Sequence, residues 1–122
     1  QPLFPKLAAA HAILFATPVY WFTYTAQLKL CIDRWYAFSG NRWQEVSGKQ
    51  FGIILTYGDT DLESSGGINA IHTFETTARF LKSEIVGIVH GSLNDVGDAG
   101  KHPELMKQAF ELGLLLARGG TA

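Results

Sequence analysis

Three short runs of apolar residues divide this 122-residue chain, and segments with helical periodicity follow each of them. The runs cover residues 11–16, 51–57 and 85–90, and they are rich in Ile, Val, Leu and Phe without regular alternation of polar residues. Continuous apolarity over a few residues is typical of parallel strands that are buried on both faces. The pattern therefore predicts three buried strands in one parallel sheet.

Three amphipathic helices are predicted because apolar residues recur at intervals of three and four. The apolar stripes consist of Leu28, Ile32 and Trp35 in the first helix, Ile71, Phe74, Ala78 and Leu81 in the second, and Leu105, Ala109, Leu112 and Leu116 in the third. The second helix is expected over residues 67–82 with Ser64 or Ser65 as its N-cap, and the third begins at His102-Pro103. Strands alternating with helices predict an α/β fold with a doubly wound parallel sheet.

The first predicted strand lies unusually close to the beginning of the sequence. Residues 1–9 resemble the end of a helix and lead directly into the apolar run 11–16. At the edge of a three-stranded sheet this run would be exposed. Residues 1–9 could cover that edge, but we favour a C-terminal part of a larger domain. The missing part would then have about 50 residues or more, because a βαβ unit alone needs about 30.

Composition narrows the classes of function. The formal net charge is −1, and this balance gives no basic face for nucleic acid. The single cysteine, Cys31, excludes a disulfide framework and a multi-cysteine metal or iron–sulfur site in this segment, so the cytoplasm is the expected compartment. Apolar runs of strand length predict no membrane helix. The four histidines lack ligand spacing, and no hydrolase or NTPase motif occurs, so neither a metal site nor a catalytic side chain is predicted.

The densest group of candidate functional residues follows the first strand. This segment contains Thr17, Pro18, Val19, Tyr20, Trp21, Phe22 and Tyr24. Ligands of α/β sheets bind at the carboxyl ends of the strands, and aromatic side chains offer flat apolar surface there. The sequence therefore predicts a site for a flat aromatic ligand.

Four segments together resemble a known family. They read A-T-P-V-Y-W at 16–21, L-K-x-x-I-D-R at 28–34, G-K-x-x-G-I-I-x-T-Y-G at 48–58, and a Gly-Gly helix start at 66–67. The chain resembles the flavodoxin-like NAD(P)H-dependent FMN reductases, nearest to the branch of iron–sulfur flavoproteins and multimeric flavodoxins. The resemblance spans nearly all of residues 8–118. It implies a five-stranded sheet of order 2-1-3-4-5, of which residues 1–122 hold strands 3, 4 and 5 as one N-terminally incomplete domain.

The resemblance also implies an FMN site and an activity. The implied cofactor-binding residues are Thr17, Pro18, Val19, Tyr20, Trp21 and Phe22 in the first loop and Thr56, Tyr57, Gly58 and Asp59 in the second. The family's phosphate-binding loop and its Cys-rich segment do not occur in this sequence, so any iron–sulfur cluster would belong to the missing part. The implied activity is an oxidoreductase that passes electrons from NAD(P)H through flavin to an unidentified acceptor.

Two other functions stay open. Residues 57–67 carry three acids and no base, which would repel a pyridine-nucleotide phosphate and favours a flavodoxin-type electron carrier without NAD(P)H oxidase activity. The second alternative is a non-enzymatic fragment or oligomerisation module. Trp35, Tyr36 and Phe38 cannot all face a sheet from adjacent helical positions, and exposed aromatic residues often mark interfaces. A homodimer or homotetramer is therefore expected.

Overall fold

The order of strands and helices matches the predicted α/β pattern. The structure is a computed structural model that describes residues 3–119. The strands are β1 (Ala12–Pro18), β2 (Gln50–Tyr57) and β3 (Glu84–Ser92), and the helices are α1 (Leu3–Ala9), α2 (Ala26–Asp33), α3 (Leu62–Ser65), α4 (Gly67–Phe80) and α5 (Pro103–Ala117). Short 3₁₀ helices cover Arg34–Phe38, Trp43–Glu45 and Asp98–Lys101. The three predicted strands are confirmed, with ends that move by at most two residues.

The three strands form one parallel sheet of order β1-β2-β3. Phe15 of β1 lies opposite Ile53 of β2, which lies opposite Ile88 of β3. Parallel neighbours need a long crossover connection, and the helices provide it here. The order agrees with three consecutive strands of the larger implied sheet.

Most of the hydrophobic core lies on one side of the sheet. Phe15 packs against Phe74 of α4 with ring centroids 5.0 Å apart, and Phe51 meets Phe15 edge-on at 5.1 Å. On the opposite side, Leu112 and Leu116 of α5 form a smaller cluster with buried and partly buried side chains of the sheet. Helices therefore cover both faces, as a doubly wound sheet requires.

Within residues 3–119, burial on both faces holds for β2 and is incomplete for the two outer strands. Leu14 of β1 is 47% exposed and Ile88 of β3 is 37% exposed. Among residues 3–119, each outer strand has a neighbour on one side only, and the helices shield the central strand best. Apolar sequence alone does not distinguish a central strand from an outer one.

The first predicted helix ends earlier than its apolar stripe indicates. Helix α2 stops at Asp33, and Trp35 lies in the following 3₁₀ helix, although its side chain is buried. Phe38 is fully buried whereas Tyr36 is 75% exposed, which confirms that the three aromatic residues do not all face the sheet. Tightening of the helix after Asp33 rotates the positions that follow.

Helix α1 confirms the helical character of the first residues that the structure describes. Phe4 packs edge-on against Phe38 with centroids 5.3 Å apart. The Lys49 ammonium donates to the carbonyls of Ala8 and Ala10 and so binds the C-terminal end of α1. Burial lowers the pKa of Lys49. Residues 1–2 and 120–122, which also belong to the predicted domain, lie outside the described part.

Neither a membrane-spanning helix nor a cluster of metal-ligating side chains occurs in the described part of the chain. Within residues 3–119, no helix combines the length and apolarity needed to cross a bilayer. The same residues contain no group of three or more His, Cys, Asp or Glu side chains that could hold a metal ion.

Candidate functional site

A cleft of about 250 Å³ opens where β1 and β2 end, and we call it the β1–β2 cleft. Its lining residues are Val19, Trp21, Phe22, Tyr57, Gly58, Asp59, Ser64 and Ser65. Six of the ten predicted site residues are among them. The carboxyl ends of neighbouring parallel strands bring the two predicted loops to one edge of the sheet.

Thr17, a predicted site residue, lies beneath the cleft instead of lining it. Its side chain is 5% exposed, and its hydroxyl accepts the N–H of Thr25 at 3.2 Å and donates to the carbonyl of Pro18 at 2.8 Å. Thr25 in turn caps α2 by accepting the N–H of Leu28 at 3.2 Å. Thr17 therefore ties the end of β1 to the start of α2.

The other three predicted residues also stand beside the cleft. Pro18 and Thr56 are paired in the sheet, and the Val19 N–H donates to the Thr56 carbonyl at 2.7 Å. Tyr20 lines a separate cavity of about 610 Å³ on the other flank of Trp21. Their assignment to cofactor binding stays a prediction.

Residues Tyr20–Thr23 form a tight turn, which we call the aromatic turn. The Tyr20 N–H donates to the Thr23 carbonyl at 2.8 Å, and the Thr23 N–H returns to the Tyr20 carbonyl at 3.4 Å. Both central residues have positive φ, 49° at Trp21 and 73° at Phe22. Type I′ turns have this pattern and normally use Asn or Gly. For bulky residues the conformation costs about 1–3 kcal/mol each. This strained backbone presents Trp21 and Phe22 to solvent at 90% and 56% exposure.

Contacts from α4 and the residue before it hold the aromatic turn. Gly66, at φ 80°, joins α3 to α4, and a Cβ there would lie 2.5 Å from the Cα of Phe22. The side-chain amide of Asn69 donates to the Phe22 carbonyl at 3.1 Å. Sequence reasoning missed both roles. The Gly-Gly pair was visible as a helix start, but nothing local connects it to a turn far earlier in the chain.

The opposite wall of the cleft, which we call the acidic wall, contains Asp59 and Asp61 and is stabilised by hydrogen bonds within its own segment. Asp59 accepts the N–H of Thr60 at 2.7 Å, and Asp61 accepts the N–H of Ser64 at 2.8 Å. The Ser64 bond is the main cause of the lowered pKa of Asp61.

Asp61 is the N-cap of α3. The predicted helix over 67–82 is α4, and Gly66 occupies its N-cap position, so neither predicted serine, Ser64 or Ser65, is the N-cap residue itself. The Ser65 hydroxyl nevertheless accepts the N–H of Gly67, the first residue of α4, at 3.1 Å.

Tyr57 connects the cleft to the third strand. Its side chain is 5% exposed, and its hydroxyl lies 2.8 Å from Nδ1 of His90. The two rings stack with centroids 5.9 Å apart and an angle of 28° between their planes. Burial raises the pKa of Tyr57, with a further contribution from Asp61. His90 was not predicted as a site residue because the sequence gives it no ligand or catalytic spacing.

The lining determines what the cleft can accept. Trp21 and Phe22 offer apolar surface, whereas Asp59 and the two serines offer polar atoms. No Lys, Arg or His is among the lining residues in the part of the chain that the structure describes. The cleft is therefore suited to a flat, largely uncharged ring with polar atoms at one edge.

The class of protein follows from the fold and from comparison with known sequences. The chain belongs to the flavodoxin-like fold family, whose sequence profile matches residues 3–112. This confirms the resemblance and the predicted fold. A Bacillus subtilis (strain 168) protein named "Putative NAD(P)H-dependent FMN-containing oxidoreductase YwqN" is 32% identical over 112 residues, which cover 88% of this chain and 61% of that protein. The chain thus spans less than two thirds of this curated relative.

Solved structures agree with this assignment. The Trp repressor binding protein from Bacillus subtilis is similar with a TM-score of 0.80 and 31% identity, over 91% of this chain and 68% of that one. A structure described as a putative quinone reductase from Klebsiella pneumoniae is similar with a TM-score of 0.60 and 25% identity, over 95% of this chain and 52% of that one.

Proposed function

We propose that the protein is an FMN-binding oxidoreductase that passes electrons from NAD(P)H through the flavin to an acceptor. The observation that carries the proposal is the β1–β2 cleft, in which a strained turn holds Trp21 and Phe22 beside the main chain at Gly58. The name of the Bacillus subtilis relative, which includes both FMN and NAD(P)H, supports the same assignment. When bound, FMN supplies the redox chemistry, and the protein supplies orientation and electrostatics.

The lining fits the ring of FMN better than its phosphate. Trp21 and Phe22 would contact the flat ring, while the backbone near Gly58 and the side chain of Asp59 would approach its polar edge. A phosphate needs cationic side chains or free N–H groups. The lining offers no cation in the described residues, so we assign the phosphate to residues other than these.

Removal of the Trp21 side chain tests the proposal. Trp21→Ala in the complete natural protein should weaken FMN binding about tenfold, because the largest exposed ring face at the cleft is lost. Titration followed by flavin fluorescence measures the dissociation constant. Tyr36→Ala is the matched control, since Tyr36 is 75% exposed but lies outside the cleft. Equal affinity of the wild type and Trp21→Ala would contradict the assignment.

An electron carrier is the second candidate, and the acidic wall favours it. Asp59 lines the cleft, Asp61 is the N-cap of α3, and Glu63 lies in the first turn of that helix, so a pyridine-nucleotide phosphate would meet like charge. The rate of NADPH consumption, followed by its absorbance in the presence of a water-soluble quinone, distinguishes the two. Turnover supports the oxidoreductase. Tight FMN binding without NADPH consumption supports the carrier.

Assembly and compartment belong to the proposal as well. Tyr36 and Phe80 are 75% and 68% exposed and border one apolar groove, which supports a homodimer or homotetramer. The single cysteine supports the cytoplasm. Sedimentation of the natural protein measures its oligomeric state, and a monomer at micromolar concentration would contradict the assembly.

A further inference from the structure

The pair formed by Tyr57 and His90 is the starting point. Tyr57 lines the β1–β2 cleft, and His90 lines a different cavity of about 510 Å³ beyond the end of β3. Their side chains share a hydrogen bond of 2.8 Å and stack over each other. Within residues 3–119, the Tyr57 hydroxyl has no other hydrogen-bond partner. The state of His90 is therefore transmitted to a residue of the cleft.

The direction of this hydrogen bond depends on the charge of His90. A buried hydroxyl needs an acceptor, so beside a neutral imidazole Tyr57 donates to Nδ1. A charged imidazolium carries hydrogen on both ring nitrogens, and Nδ1 then donates to the Tyr57 oxygen. In that state the Tyr57 hydroxyl no longer donates to His90, so its hydrogen can form a hydrogen bond with another acceptor. Because the pKa of Tyr57 is raised, this hydroxyl keeps its proton at neutral pH.

We propose that His90 is a positioning residue for the β1–β2 cleft, and that its charge decides whether the Tyr57 hydroxyl donates its hydrogen bond to His90 or to the molecule in the cleft. The inference rests on the proposed function, in which that molecule is a flavin with carbonyl and ring-nitrogen acceptors. The cleft then binds the flavin ring more tightly as the pH falls. His90 itself needs no contact with the flavin.

The effect of His90 on the pH dependence has to be distinguished from the effects of other charged groups near the pair. Lys101, His102 and Glu104 line the same cavity as His90, and Asp61 acts on Tyr57. The pKa of Asp61 is lowered from 3.8, so this carboxylate stays ionised in the pH range in which histidines change charge. His102 is the other histidine of that cavity, so its effect has to be distinguished from that of His90.

The test measures riboflavin binding to the complete natural protein at about pH 5.5 and about pH 8, where histidines are largely charged and largely neutral. Riboflavin carries the flavin ring without a phosphate. The phosphate of FMN ionises at about pH 6 and would add its own pH dependence to the dissociation constant. Flavin fluorescence gives the dissociation constant. We expect binding to be about threefold to tenfold tighter at the lower pH, the worth of one hydrogen bond.

Three variants identify the residue responsible for the pH dependence. His90→Gln keeps a hydrogen-bonding side chain that does not titrate, and it should make the affinity independent of pH. Tyr57→Phe keeps the ring without its hydroxyl and should do the same. His102→Gln is the matched control, because His102 lines the same cavity without a recorded bond to Tyr57, and it should retain the wild-type profile.

A second readout follows the His90 ring itself by proton NMR. If the cleft binds its ligand better when His90 is charged, riboflavin must raise the titration midpoint of His90 by linkage. An unmoved midpoint, or the same pH profile in wild type and His90→Gln, overturns the inference while the proposed function stands. Absence of riboflavin binding at both pH values contradicts the proposed function and the inference together.

Discussion

The two walls of the β1–β2 cleft are held in place by different means. The aromatic turn depends on distant residues, since Gly66 makes room for Phe22 and the Asn69 amide binds its carbonyl. The acidic wall depends on itself, since Asp59 bonds to Thr60 and Asp61 caps its own short helix. Both walls follow the end of a parallel strand and line the same cleft, but the side-chain bonds of Asp59 and Asp61 are local, whereas the Asn69 bond to the aromatic turn is long-range.

The difference explains why the aromatic turn, and not the acidic wall, carries backbone strain. Positive φ at Trp21 and Phe22 persists because the surroundings determine it, and such strain is concentrated at binding and catalytic sites. The acidic wall needs no strain because carboxylate caps satisfy its N–H groups locally. The cleft thus combines a rigidly presented aromatic surface with an ordinary capped loop.

The largest expected effect comes from Gly66→Ala, which attacks the support of the aromatic turn. The new Cβ would lie 2.5 Å from the Phe22 backbone, at φ 80°. We expect a loss of about 2–4 kcal/mol in the free energy of unfolding, from steric overlap added to backbone strain. Urea unfolding followed by circular dichroism measures it.

Gly40→Ala is the control for this prediction. Gly40 has φ 86°, but a Cβ there would meet nothing within 4 Å. The loss in the free energy of unfolding should come from the left-handed backbone conformation alone and amount to about 1–2 kcal/mol. Equal losses for the two variants would show that the contact with Phe22 contributes nothing.

A smaller effect is expected for Asn69→Ala, which removes the other support of the turn. The loss of the hydrogen bond from the Asn69 amide to the Phe22 carbonyl should lower the free energy of unfolding by about 1 kcal/mol. The turn should loosen, so flavin affinity should fall in parallel. Gln44→Ala removes an exposed amide that bonds the Asn41 carbonyl, outside the cleft, and should leave flavin affinity unchanged. If Asn69→Ala binds flavin as tightly as Gln44→Ala does, Asn69 does not hold the turn.

The smallest effect concerns the acidic wall and depends on pH. The pKa of Asp61 is lower in the folded protein than its ordinary value of 3.8, chiefly through the Ser64 N–H. Asp61 therefore contributes stability above that value, and the contribution is lost as the pH falls through the lower folded-state pKa. Wild type should be more stable than Asp61→Asn at neutral pH, and the difference should shrink below about pH 4. Chemical unfolding at several pH values measures it, and a difference that grows on acidification would contradict the cap.

Whether a residue of the site can be predicted from the sequence depends on the same distinction between local and long-range contacts. The resemblance brought Trp21, Phe22 and the Tyr57–Asp59 segment into one site because both loops directly follow apolar strands. Ser64 and Ser65 also line the cleft, but the sequence predicts them only as helix caps. His90 and Asn69 were missed because their roles rest on contacts with residues far away in the chain. Long-range partners leave no periodic trace in a single sequence.

The class of fold can be predicted from the amino-acid sequence alone. Three apolar runs and the helical stripes between them define a parallel α/β sheet, because strand and helix periods are local properties of the chain. The sequence also shows that aromatic residues follow the first strand. Within residues 3–119, packing in three dimensions determines that β2 is the strand buried on both faces, that the aromatic turn has positive φ, and that Tyr57 bonds to His90. These features arise from packing between distant segments, which outweighs local conformational preference.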